Sequence, residues 1–214
     1  MSEANTGQCM SCGGEFKKAA IKKHLDKCLG SVREPGGEKF YLISVQGRYD
    51  PAYWLYVEVS AAATLDKLDA FLRGIWLECC GHLSAFRIGG QSYSVSPDRD
   101  FGDRSMNVKL NKVLEKGMSF EHEYDFGSTT SLKLKVVDER DGKKGKAVVL
   151  LARNVEPHIQ CSNCKEEAVN VCCECIYDGD GWLCESCSES HECGEEMLLP
   201  VVNSPRVGVC GYSG

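Results

Sequence analysis

The sequence predicts an α+β protein: a central antiparallel or mixed sheet with one main helix, flanked by two small cysteine-rich modules. Three observations carry this. Apolar residues alternate along several short segments between about residues 38 and 154, the period of half-buried strands. One segment, Leu65, Leu68, Leu72, Ile75 and Trp76, repeats instead at helical spacing. Twelve of the fourteen cysteines lie outside that middle stretch, mostly as C-x-x-C pairs.

Composition narrows the classes. Of 214 residues 43% are hydrophobic and 26% charged, ordinary values for a globular chain, so a medium domain plus small modules is expected. A net charge of −6 gives no overall attraction to nucleic acid or anionic membrane. There is no apolar run of about twenty residues and no signal-like start, so no membrane partner is expected. Fourteen cysteines without secretion read as metal ligands in a reducing cytoplasm rather than as a disulfide framework. Oligomeric state is not legible.

The first module, residues 1–30, is Cys9-Met-Ser-Cys12 followed by His24 and Cys28. Lys17 to Leu29 reads as a short helix, which sets His24 and Cys28 at i and i+4 on one face. Two thiols on a turn and an imidazole and a thiol on a helix make one tetrahedral zinc site. The helix also carries Lys17, Lys18, Lys22, Lys23 and Lys27, the one basic patch in an acidic chain. Lys18, Lys22 and Lys23 are thus candidate phosphate contacts, and a solvated lysine face is the plainer reading.

Residues 31–37, with Pro35-Gly36-Gly37, form a linker by composition. In residues 38–154, Phe40–Val45 and Tyr53–Val59 read as a hairpin around an Asp50-Pro51 turn. Thr64 is placed to cap the helix, which is expected to run to about Cys79–Gly81. Two strands flank Gly89-Gly90, and a short helix closes at Gly117. Phe120, His122 and Tyr124 alternate along a strand before an Asp125-Phe126-Gly127 turn, and Leu132, Leu134 and Val136 alternate along the next. Val148 to Leu151 closes the sheet. His82, His122 and Asp125 are the polar groups most suited to acid–base or metal chemistry. No nucleophile–base pair or phosphate loop accompanies them, so no catalytic residue is assigned. Cys79 and Cys80 read as buried small hydrophobes.

The last module, residues 155–214, carries Cys161, Cys164, Cys172, Cys175, Cys184, Cys187, His191 and Cys193. Consecutive pairing would give one zinc Cys161, Cys164, Cys172 and Cys175. Interleaved pairing joins Cys161 and Cys164 to Cys184 and Cys187, and Cys172 and Cys175 to His191 and Cys193; it ties the segment into one unit and is preferred. With so little apolar content the module needs metal to fold. Cys193 lies close to His191, leaving Cys210 as an alternative eighth ligand and Cys173 as a substitute for a neighbour. The apolar tail from Met197 is expected to pack back, on this module or on the main domain. Three zinc ions per chain follow.

Three resemblances can be named. Leu68…Trp76…His82-Leu…Phe86-Arg-Ile-Gly-Gly…Tyr93, then Lys116-Gly117…Phe120…Tyr124-Asp125-Phe126-Gly127, resembles the plasmid pRiA4b open-reading-frame-three-like family, also called transposon-passenger TnpR-type. That resemblance implies a compact α+β domain over residues 38–154 and no established activity; Glu78-Cys79-Cys80-Gly81 departs from its usual acidic, Trp-containing segment. His24-Leu-Asp-Lys-Cys28 resembles C2HC ubiquitin-binding fingers, which would put Asp26 on the recognition helix. The interleaved C-terminal spacing resembles B-box and RING cross-braces. The sequence thus points to a zinc-binding adaptor that recognises a protein partner. The alternatives are a nucleic-acid or ribonucleoprotein binder through the basic finger, and a metal-assisted enzyme at His82 and Asp125.

Overall fold

The computed structural model describes residues 6–28, 37–143 and 145–214. Leu29 and nearly all of the 31–37 linker therefore lie outside the described residues. The chain is α+β, with a large mixed sheet and few helices.

Two short strands, β1 (Thr6–Cys9) and β2 (Glu15–Lys17), precede helix α1 (Lys18–Cys28). The long hairpin β3 (Glu38–Gly47) and β4 (Trp54–Ser60) follows, then helix α2 (Leu65–Leu72). Next come β5 (Ser84–Ile88), β6 (Gln91–Ser94), β7 (Arg104–Ser105), β8 (Ser119–Tyr124), β9 (Thr130–Gly142) and β10 (Val148–Asn154). The C-terminal region adds β11 (Asn170–Cys172), β12 (Trp182–Leu183), helix α3 (Glu185–Glu189) and β13 (Leu198–Pro200). Ten strands form one sheet in the order β2-β1-β10-β4-β3-β9-β8-β5-β6-β7, antiparallel except for the β6–β7 pair. β11 lies between β12 and β13 in a small second sheet.

The main core lies under α2. Leu65, Leu68, Leu72 and Trp76 are fully buried against Ile43, Val57, Phe86 and Leu134. Removing such side chains from water supplies about 1.5–3 kcal/mol each. α2 is shorter than its periodicity suggests: Arg73–Leu77 widens into a π-helical turn, with the Glu78 N–H reaching back to the Arg73 carbonyl at 2.9 Å. Glu78 is extended, so Cys79 and Cys80 leave the helix altogether. Thr64 occupies the cap position without a side-chain cap. The N–H groups it would serve are already satisfied, since Asp66 donates to the Met106 carbonyl and Lys67 to the carbonyl of Thr64 itself. The short helix before Gly117 is a single 3₁₀ turn, Leu110–Lys112.

The N-terminal strands do not stand apart. β1 pairs with β10, Gly7 facing Asn154 and Cys9 facing Ala152, so β10 is an interior strand. A second apolar cluster fills the angle beneath α1, made of Cys9, Ile21 and Leu25 against Trp54, Leu151 and Ala152.

Candidate metal centres

Among the described residues four groups of cysteine and histidine bring their ligand atoms within 4.8 Å of one another. Each can hold a metal ion.

The first is Cys9, Cys12, His24 and Cys28. Residues 9–14 form a tight knuckle: Gly13, at φ +71°, donates to the Cys9 carbonyl at 2.8 Å, and the Cys9 N–H is received by Gly14. A left-handed residue costs glycine nothing, which lets both thiols face α1. Cys9 and Cys28 Sγ are 3.9 Å apart, and Cys12 Sγ lies 3.4 Å from His24 Nε2. Phe16 stacks on the His24 ring at 3.8 Å and fixes its plane.

The C-terminal region holds two groups in the interleaved arrangement. In one, Cys164 lies 3.5 Å from Cys184 and 3.8 Å from Cys187, with Cys161 fully buried beside them. In the other, Cys175 is 3.6 Å from both His191 Nε2 and Cys193 Sγ, with Cys172 the fourth member. Cys193 therefore meets the other three despite its closeness to His191. Cys173 joins neither group; its thiol turns to Met197 Sδ at 3.7 Å.

These separations have a simple meaning. With metal–sulfur bonds of about 2.3 Å, the edge of a tetrahedron is about 3.8 Å between thiolates and a little less between thiolate and imidazole. The observed spacings are those of ligands around a common centre. Thiolate and imidazole donors in fours suit zinc.

The acidities reflect the crowding. Burial pushes the Cys161 thiol up, but backbone N–H groups of Cys184, Cys164 and Asn163 outweigh it and bring it to about 6. Its neighbour Cys187, beside Cys184, Cys161 and Cys164, is pushed up to about 12. The same split separates Cys172, at about 7, from Cys175, pushed up to about 12 chiefly by Cys193 and Cys172. One thiolate forms easily in each group and the next only against it, so a cation is needed to hold all of them charged.

The fourth group is Cys79, Cys80, His82 and Cys210. The reading of Cys79 and Cys80 as buried hydrophobes is corrected here: Cys80 is exposed and Cys79 only half-buried. The polar loop after the π turn leads them out of the core. Cys210 is not a ligand of the C-terminal module, because the tail folds onto the main domain. Ser204 Oγ donates to the Trp76 carbonyl at 2.6 Å, and Trp76 Nε1 donates to the Asn203 carbonyl at 3.0 Å. The signal that could have exposed this group was Cys-Cys-x-His, three ligands in four residues, with Cys210 left over.

Of the other marked residues, His122 is fully buried and donates from Nε2 to Asp69 Oδ1 at 2.7 Å, which ties β8 to α2. Asp125 lies 3.5 Å from His82 Nε2, but its carboxylate receives Arg206 at 2.8 Å. Two of the five lysines of the patch are engaged. Lys22 bridges Asp26 at 2.9 Å and Asp138 at 3.3 Å, and Lys18 donates to Gln46 and to the Pro51 carbonyl. Lys23 and Asp26 are exposed.

The family described as "Plasmid pRiA4b ORF-3-like protein" matches residues 42–166. The crystal structure titled as a protein of unknown function, MM3350, from Methanosarcina mazei Go1 is similar at 18% identity and a TM-score of 0.46. That match spans 54% of this chain and 68% of the other. No curated protein matches the chain. No described helix is long and apolar enough to cross a membrane.

Proposed function

Starting from the fact that the chain belongs to the plasmid pRiA4b ORF-3-like family, we propose that it is a zinc-binding interaction protein whose flanking zinc centres present surfaces to a protein partner. One observation carries this reading. Each flanking group offers four protein donors at tetrahedral spacing, which leaves no position for a reactive water and makes the zinc structural. The first group would make a C2HC finger with Lys23 and Asp26 on its outer face, and the other two a cross-braced module. Fourteen cysteines with no disulfide among them support a reducing compartment, the cytoplasm.

A protein partner fits better than a nucleic acid. Lys18 and Lys22 are already paired within the molecule, and the net charge of −6 opposes a polyanion. The test is a pull-down from cytoplasm with and without nuclease, using the full chain and its Asp26→Ala variant. Partners that persist after nuclease and weaken with Asp26→Ala support the reading. Partners lost on nuclease treatment, with binding abolished by charge reversal at Lys18, Lys22 and Lys23, would replace it with nucleic-acid binding.

A further inference from the structure

We propose that Cys79, Cys80, His82 and Cys210 form a further zinc centre, a staple fastening the C-terminal tail to the main domain. None of these four residues belongs to the three flanking centres.

The separations fit. Cys79 and Cys80 Sγ are 3.7 Å apart and Cys80 and Cys210 are 4.0 Å apart, against about 3.8 Å for a thiolate edge of a zinc tetrahedron. His82 Nε2 turns inward, 3.0 Å from Cys80 and 3.3 Å from Cys210. Three donors come from the loop after the π turn and the fourth from a residue 128 positions later than His82. Two segments so far apart in sequence do not bring four soft donors together by local geometry.

The loop is held ready. The Tyr124 hydroxyl accepts the N–H groups of Cys79 and His82 at 3.4 and 3.3 Å and donates to Glu78 at 3.0 Å. Glu78 in turn receives the Gly81 N–H at 2.7 Å, and Gly81, at φ +83°, makes the turn that returns His82 toward the thiols. The tail is shaped to match. Among the described residues, Cys210 is one of three non-glycine positions with positive φ, at +51°, a strained conformation that persists only where the surroundings impose it. Beneath the group, Arg206 donates to Cys79 Sγ at 3.4 Å and to Asp125, which lies beside His82. A guanidinium against a thiolate is the outer-layer support that steadies metal ligands.

This centre differs from the others in exposure: Cys80 and Cys210 both face solvent. Its zinc is therefore the first that a chelator reaches, and its loss frees the tail without touching the sheet.

The experiment is metal counting on the reduced full chain by elemental analysis, with Cys210→Ser, Cys80→Ser and, as a control, Cys173→Ser. Four zincs in the parent and in the control, and three in the other two variants, are expected. Trypsin supplies a second readout: cleavage after Arg206, which is fully buried, should rise in Cys210→Ser as the tail lifts. Three zincs in the parent, with no change in Cys210→Ser, would falsify the staple while leaving the flanking centres standing. A Cys79–Cys80 disulfide found by alkylation and mass spectrometry would overturn it as well. Loss of more than one zinc in both variants, without tail cleavage, would show a general structural role and also overturn it.

Discussion

Arg206 is a guanidinium with no exposed surface; its two terminal nitrogens are answered, while its buried Nε has no partner. It reaches Asp125 at 2.8 Å, Thr130 at 3.0 Å and the Ser128 carbonyl at 3.2 Å, with the Tyr124 ring 4.8 Å away. Asp125, itself at φ +62°, also accepts the N–H groups of Gly127 and Ser128. Truncating Arg206 to alanine strands a buried carboxylate, which costs about 3–5 kcal/mol. The urea midpoint should fall accordingly. Arg206→Lys should recover little, because one ammonium cannot serve three acceptors set out for a planar fork. Asp138 makes a milder case. Lys116 at 2.6 Å, then the Glu139 N–H and Lys22, hold its carboxyl below the usual carboxylate range against its partial burial. A depressed folded pKa adds stability above the unfolded pKa and loses it as pH falls through the folded one. Asp138→Asn should thus cost less than about 1 kcal/mol at neutral pH, as for exposed pairs. The gap between the two proteins should close in acid melts.

At the scale of elements, the central strands were legible because period-two alternation marks one buried face: Phe120, His122 and Tyr124 are all buried, as their spacing implies. The helix over Leu65–Leu72 was legible for the same kind of reason. Its widening at Arg73–Leu77 was not, since π turns follow from tertiary demands that leave no periodic mark. Nor was the docking of β1 on β10. Thr6-Gly-Gln-Cys9 shows no alternation, and its pairing spans almost the whole domain in sequence. Structure supplies the reason for Gly7: a Cβ there would lie 2.2 Å from the Trp54 ring and 2.5 Å from the Arg153 carbonyl. Gly7→Ala must push β1 off the sheet or Trp54 out of its seat, at about 1–3 kcal/mol of overpacking. Weaker zinc retention at the first centre and altered tryptophan emission are expected. Unchanged emission in Gly7→Ala would show that β1 does not rest on Trp54.

Across the whole molecule, the ligand groups that the sequence exposed are those whose members are close in the chain. Cys79, Cys80 and His82 needed Cys210, and nothing in spacing alone directs a tail across the domain. The same distribution sets what metal removal should do. The main core is built almost wholly from residues 41–136; the C-terminal module contributes Val171 and Val207 and leans on it with Ile176, Trp182, Leu199 and Val202. The first finger leans from the other side, its Ile21 and Leu25 resting on Trp54 and Leu151. The ends are therefore supported by metal and by the middle, whereas the middle is supported mainly by itself. Excess chelator under reducing conditions should release both ends, because modules this small lose most of their folding free energy with the ion. Residues 38–154 should survive limited proteolysis as one fragment, melting at a lower temperature than the parent because the cover from Val171 and Val207 is gone. Digestion of the middle at the same rate as the ends would mean instead that the sheet shared through β1 and β10 makes the chain one cooperative unit.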